Sequence, residues 1–172
     1  MSKFLRMTSL VATVAAVAVA TPAVAAPVNA QTDANAQVEI LKGLTLDSAQ
    51  DLDLGTVVLS GAGAWSATVE IDRDGNFDCD GGSGNVTCSG TPQEARYDVT
   101  GSAGYDVDID SVNVDLRNAN SDSLILTPDH EDIVTLDVNG ANNFGVGGSV
   151  TVTNTTPDGV YTGTFAVTAE YQ

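Results

Sequence analysis

The sequence predicts an all-β protein, an immunoglobulin-like antiparallel β-sandwich of about nine or ten short strands. Two observations carry this prediction. Apolar and polar residues alternate in short runs from residue 37 to the end, and clusters of Gly, Asn, Asp and Pro separate the runs. No stretch there has the sustained 3.6-residue period of an amphipathic helix. Because alternation buries one face of a strand, two sheets packed face to face are expected, with a closed barrel as the alternative.

The alternating runs follow one another along the whole domain. In order, they cover residues 37–40, 44–46, 51–59, 65–71, 97–99, 105–110, 112–116, 124–126, 134–138, 150–152 and 161–171. The last run predicts a C-terminal core strand with Phe165, Val167, Ala169 and Tyr171 on one face. At Ser111 the apolar positions change parity, which predicts a bulge or a tight turn there.

The first 25 residues have the order of a secretory signal peptide. Lys3 and Arg6 precede an uncharged run over residues 10–20, and small residues lead up to Ala25. We expect cleavage after Ala25, with Ala30 as a second candidate and a retained N-terminal anchor as the alternative. The apolar run is too short to cross a bilayer, which takes about 20 residues.

Export sets the expected organisation of the rest of the chain. Residues 26–36 form a flexible lead, and residues 37–172 form a single domain with no transmembrane segment after cleavage. The expected location is the periplasm, the cell surface or the extracellular medium.

The charge is strongly one-sided. The chain has six basic and 23 acidic residues, for a formal net charge of −17. Loss of Lys3 and Arg6 with the leader makes the net charge −19. Nucleic acid is excluded as a partner, because binding phosphate requires clustered Lys and Arg, and binding to anionic lipid is disfavoured for the same reason. The charge either keeps an exported protein soluble and monomeric or reflects a need for divalent cations.

The two cysteines, Cys79 and Cys88, are expected to form a disulfide. Export carries them to an oxidising compartment, where an even number of cysteines indicates pairing. The closed loop is small, and its contribution to the free energy of unfolding is about 2–3 kcal/mol.

The densest polar cluster spans residues 72–80, around the first cysteine. Oxygen-bearing side chains at alternate positions are typical of calcium loops, and here they are Asp72, Asp74, Asn76, Asp78 and Asp80. Phe77 and Ser83 stand where an EF-hand needs Gly and Glu, so that motif is excluded. The choice is between another kind of calcium loop and an acidic hairpin loop closed by its disulfide.

Four stretches resemble a family of exported bacterial domains. They are LDLGTV at residues 52–57, YDVTG at 97–101, GVGGSVTV at 145–152 and PDGVYTGTF at 157–165, which continues to residue 172. In this order they resemble a bacterial family of unknown function, the 4402 family. That family is similar to the spore-coat-protein-U-like pilins of the archaic chaperone–usher branch.

The resemblance implies a surface module in which subunits exchange a strand. The segment with Val38, Ile40, Leu44 and Leu46 would be donated to a neighbouring copy or would form the domain's own first strand. Lys42 interrupts its apolar face, and the cysteine spacing departs from the disulfide that ties early strands together in those pilins. A periplasmic chaperone and an outer-membrane usher are the other implied partners.

No residue pattern indicates an enzyme. His130 is the only histidine, and nothing near it marks a nucleophile on a strained turn or an oxyanion hole. The sequence therefore predicts a non-catalytic structural or adhesive module, such as a fibre subunit. The alternative is a stand-alone exported β-sandwich that binds calcium or a glycan.

Overall fold

The computed structural model describes residues 32–172, which contain twelve β-strands and no helix. The strands are β1 (Thr45–Gln50), β2 (Thr56–Leu59), β3 (Ser66–Ile71), β4 (Phe77–Asp78), β5 (Val86–Ser89), β6 (Ala95–Thr100), β7 (Asp106–Ser111), β8 (Val114–Arg117), β9 (Ser123–Asp129), β10 (Ile133–Thr135), β11 (Ala141–Thr153) and β12 (Val167–Tyr171). The predicted signal peptide, both of its candidate cleavage sites and residues 26–31 of the lead lie outside the described residues.

The largest sheet has seven strands and changes partners along β11. Its path is β1-β6-β11-β3-β4, and β9 pairs with β11 and carries β8. Residues 141–146 of β11 pair with β6, whereas residues 147–153 pair with β9 and β3. The two halves of this one strand therefore belong to two surfaces of the molecule.

Two glycines allow the change of partners. A Cβ at Gly145 would lie 2.0 Å from the carbonyl oxygen of Arg73, and one at Gly147 would lie 2.1 Å from that of Ile71. Both distances are far shorter than any real contact, so only glycine lets the chain leaving β3 lie this close to β11.

A second sheet, in the order β10-β7-β12, encloses the larger part of the core together with β6 and the first half of β11. The buried side chains between them are Ala95, Val99, Val107, Ile109, Val134, Leu136, Phe144 and Val146. They come from alternate positions of their strands, as the sequence pattern predicts.

A second apolar cluster lies under the two-stranded ribbon β2-β5. Its buried members are Ala67, Val69, Val86, Leu126, Val150 and Val152. Leu52 and Phe165 pack against both clusters, so the two parts of the core are continuous.

These findings confirm the predicted all-β fold with antiparallel sheets around an apolar core. The described residues hold more strands than expected because β4 and β5 lie between residues 71 and 97, where no alternating run was predicted. The parity change at Ser111 marks a crossing between sheets, since β7 ends there and β8 pairs with β9 in the other sheet. Val112, in the crossing, is exposed and does not carry the apolar face.

Residues 39–172 form one compact unit, and residues 32–38 belong to a separate one. Residues 32–38 are exposed and have no regular secondary structure. Within residues 32–172 there is no helix long and apolar enough to cross a membrane.

Candidate functional site

The first and last strands leave one side of the larger core open. Among the described residues β1 pairs only with β6, and β12 pairs only with β7. Residues at the start of β1 and the end of β12 meet, because the hydroxyl of Tyr171 bonds the carbonyl oxygen of Lys42. The two strands therefore border the same side of the core, which we call the β1–β12 edge.

Apolar side chains along the β1–β12 edge are only partly covered. Those that pack against the larger core but keep part of their surface exposed are Leu44, Leu46, Phe165, Val167, Ala169 and Tyr171. Each bordering strand also has one side of its backbone without a strand partner in the described chain. Free backbone groups beside half-covered apolar residues are what an added strand needs.

β12 contains Val167, Ala169 and Tyr171 of the predicted C-terminal core strand, and all three pack against the larger core. β12 pairs antiparallel with β7, and Ala169 lies opposite Ile109. Phe165 precedes the strand and packs against both core clusters.

Of the four residues of the predicted donor or first strand, only Leu46 lies in a strand of the described domain. β1 begins at Thr45, and no strand covers residues 32–44. Leu44 and Leu46 pack against the core, but Val38 and Ile40 are 80% and 86% exposed. The apolar pair ahead of Lys42 is thus separate from the apolar pair behind it.

Two tyrosines bind this part of the chain, Tyr171 at Lys42 between the two apolar pairs and Tyr105 at Glu39 within the first pair. The hydroxyl of Tyr171 donates to the carbonyl oxygen of Lys42 over 2.8 Å and accepts from the N–H of Ser102 over 2.6 Å. The N–H of Lys42 donates to the hydroxyl of Ser102 over 2.7 Å. The hydroxyl of Tyr105 donates to the carboxylate of Glu39, and this bond raises the pKa of Tyr105 above its usual value. Both main-chain polar groups of Lys42 are therefore bound to the domain.

Sequence reasoning missed this polar cluster. Tyr171 stands in an alternating strand, so the pattern identified it only as a core residue. Its ring does pack there, edge to face with Tyr105 at a centroid distance of 5.9 Å. The partners of its hydroxyl lie 69 and 129 residues away in sequence, and no local signal could have identified them.

The predicted disulfide is confirmed. Cys79 and Cys88 are joined, with their Cα atoms 5.8 Å apart. Cys79 follows β4 and Cys88 lies in β5, so the bond ties the acidic loop to the β2-β5 ribbon. Both half-cystines pack against the smaller core cluster.

The first half of the acidic loop is folded around one carboxylate. Oδ1 of Asp72 accepts hydrogen bonds from the N–H groups of Asp74 and Asn76, and Oδ2 accepts one from the Asn76 side chain. The Asn76 side chain is the main reason that the pKa of Asp72 is lowered. These bonds stabilise the turn.

The second half of the loop is built in the same way. Asp78 accepts from the N–H groups of Asp80 and Gly81, and Asp80 accepts from those of Gly82 and Gly84. Among residues 32–172, no group of three or more His, Cys, Asp or Glu side chains is placed to hold a metal ion. Three of the five candidate calcium ligands, Asp72, Asp78 and Asp80, thus accept hydrogen bonds from the loop's own backbone.

A row of carboxylates lies on the outer face of the β10-β7-β12 sheet. Asp106, Asp108 and Asp110 are exposed on β7, and Glu170 on β12 lies directly opposite Asp108. Gln172 donates to Asp108 over 2.7 Å and Thr135 donates to Asp106 over 2.6 Å. The row is a solvated face that borders the β1–β12 edge.

The fold and its open edge define an antiparallel β-domain whose first and last strands are both sheet edges. A family model described as a domain of unknown function (DUF4402) matches residues 44–171. The chain belongs to this family. No curated protein and no solved structure matches the chain. The matched region begins at Leu44, so it contains both strands of the β1–β12 edge but not Val38 or Ile40.

Proposed function

We propose that this protein is a non-catalytic, exported structural or adhesive surface module that joins copies of itself into a fibre by strand addition. The observation that carries the proposal is the β1–β12 edge, where half-covered apolar side chains lie between two strands with free backbone. The donated strand is residues 32–41, which contain the exposed Val38 and Ile40.

The N-terminal segment has the chemistry that the edge requires. Val38 and Ile40 are two positions apart, so in an extended strand their side chains lie on the same face. Burying both would contribute about 3–6 kcal/mol before the cost of ordering the segment. Main-chain hydrogen bonds to β1 or β12 would add affinity, and the alternate side chains would set the register.

The donor ends earlier in the chain than the sequence suggested. Leu44 and Leu46 already pack against their own core, so they are not available to a neighbour. Lys42 then marks the boundary between the domain and the donor segment. This position explains why Lys42 interrupts the apolar pattern.

The proposed setting is the bacterial envelope. The leader directs export, and the disulfide between Cys79 and Cys88 suits an oxidising compartment. Before assembly the β1–β12 edge would be exposed and prone to pairing with the wrong chain. A periplasmic chaperone that covers this edge and an outer-membrane usher are therefore part of the proposal.

Light scattering on the purified exported chain tests the proposal. We expect oligomers that persist in mild denaturant, and we expect Val38→Asp with Ile40→Asp to leave monomers. A matched control is Val112→Asp with Val160→Asp, since these valines are 66% and 80% exposed and the added charge is the same. The proposal is wrong if the wild type is a stable monomer, or if both double variants weaken the oligomer equally.

A further inference from the structure

We infer that Tyr171 and Ser102 keep the N-terminal segment from folding back onto its own β1–β12 edge and so direct it to another copy. The inference rests on the proposed strand addition and concerns its specificity. An edge that accepts a strand from a neighbour could also accept the same strand from its own chain. Self-addition has no cost of association, so it would end fibre growth unless something opposed it.

The fold-back that would cover the edge is a β-hairpin with β1. To place Val38 and Ile40 on the face of Leu46 and Leu44, the hairpin needs a three-residue loop at residues 41–43. A two-residue loop would place them on the opposite face, because one residue of register shift reverses every side chain. The three-residue loop requires its last residue in the left-handed region, and that residue is Gly43.

The chain occupies a different path at this point. Gly43 is not among the glycines with positive φ, so the loop conformation is not formed. Residues 39–42 cross the end of the core from β1 to Tyr171, in β12 of the opposite sheet, and to Tyr105, just before β7 of that sheet. In the hairpin, Glu39 would instead lie beside the outer edge of β1, away from the hydroxyl of Tyr105.

The anchor is specific in its geometry. Lys42 uses both its N–H and its C=O, the first to the Ser102 hydroxyl and the second to the Tyr171 hydroxyl. Gly101 leaves room for this arrangement of Lys42 and Tyr171, because a Cβ at residue 101 would lie within 3 Å of the Tyr171 hydroxyl and of the Leu44 side chain. The hairpin would have to break both bonds of Lys42. Tyr171 and Ser102 are thus positioning residues for strand addition.

Release of the anchor is tested with Tyr171→Phe combined with Ser102→Ala, which keeps the aromatic ring in the core. We expect the ratio of oligomer to monomer in light scattering to fall about tenfold, because the variant loses the two hydrogen bonds of ordinary strength that hold Lys42. In the monomer of this variant, the amides of Val38 and Ile40 should become protected from hydrogen exchange, because the hairpin pairs them with β1.

Gly43→Ala distinguishes fold-back of the N-terminal segment from a general loss of stability in the anchor variant. An alanine Cβ at Gly43 has no atom within 4 Å in the anchored chain, but alanine is unfavourable in the left-handed conformation that the hairpin needs. Alone, Gly43→Ala should leave the oligomer ratio unchanged. Added to the anchor variant, it should restore oligomers and remove the new amide protection.

The outcomes distinguish this inference from the proposed function. If the wild type assembles and the anchor variant assembles equally well, or if Gly43→Ala restores nothing, the inference is wrong. If the wild type and Gly43→Ala are both monomeric, strand addition between copies is wrong. In that case hydrogen exchange still decides the anchor, because the inference requires protected amides at Val38 and Ile40 in the anchor variant but not in the wild type.

Discussion

The hydroxyl of Tyr171 donates a 2.8 Å hydrogen bond to the main-chain oxygen of Lys42, a residue 129 positions earlier in the chain. This bond joins the end of β12 to the segment that leads into β1. It brings together the two strands that border the half-covered side of the core. The edge at which we propose strand addition and the exposed Val38 and Ile40 that we propose as its donor therefore lie on either side of this contact.

The close crossing at β11 predicts a large cost for a small substitution. Gly145→Ala would place a methyl group 2.0 Å from the carbonyl oxygen of Arg73. Because main-chain atoms of two strands would have to separate, we expect a loss of roughly 3 kcal/mol or more in the free energy of unfolding. Gly43→Ala is the matched control and should stay within about 0.5 kcal/mol. Urea titrations of the two variants check this; equal midpoints would contradict the described crossing.

The disulfide should matter for stability but not for the fold. Replacing Cys79 and Cys88 together by Ala should lower the free energy of unfolding by about 2–3 kcal/mol, since the bond closes a loop of nine residues' separation. The larger core, from β6, β7, β10 and β11, should remain intact. Denaturant unfolding and far-ultraviolet circular dichroism of the variant measure both effects. A variant that does not fold at all would contradict the expectation that the larger core is independent of the disulfide.

Asp137 predicts an acid-dependent contribution to stability. Its carboxylate accepts hydrogen bonds from the N–H groups of Ala141 and Asn139 at the β10–β11 turn, and these bonds lower its pKa from 3.8. A lowered folded-state pKa means that the contribution is complete above the unfolded value and is lost as pH falls through the folded value. Asp137→Ala should therefore be less stable than the wild type at neutral pH, and the difference should shrink as the pH falls below 3.8 and through the folded-state pKa.

Asp137→Asn controls for the hydrogen bonds themselves. Its amide oxygen can accept from the same N–H groups but does not titrate in this range. The difference in melting temperature between the Asn and Ala variants should then be independent of pH. A difference between wild type and Asp137→Ala that does not shrink in acid would contradict the role assigned to the carboxylate.

Much of the fold could be predicted because the signal is local. Alternation along a strand shows which side is buried, as at Phe165, Val167, Ala169 and Tyr171. The disulfide followed from export and the count of cysteines. The motif GVGGSVTV at residues 145–152 resembled a family pattern, and its physical reason appeared only where β11 passes Arg73 and Ile71.

The parts that could not be predicted depend on distant contacts. The parity change at Ser111 has the same sequence appearance in a bulged strand and in a crossing to another sheet. Val38 and Ile40 continue the period of Leu44 and Leu46, so the pattern could not show that Lys42 ends the domain's own packing. Its two main-chain bonds to Ser102 and Tyr171 depend on the closed fold.

The central claim is that the β1–β12 edge accepts the segment ahead of Lys42. The most direct measurement is a calorimetric titration of the chain beginning at Lys42 with a peptide of residues 32–41. We expect saturable binding of one peptide per chain and a higher melting temperature, because the peptide binds only the folded state. The same peptide with Asp at Val38 and Ile40 should not bind. A cooperatively folded chain that binds neither peptide, or both equally, would contradict the account.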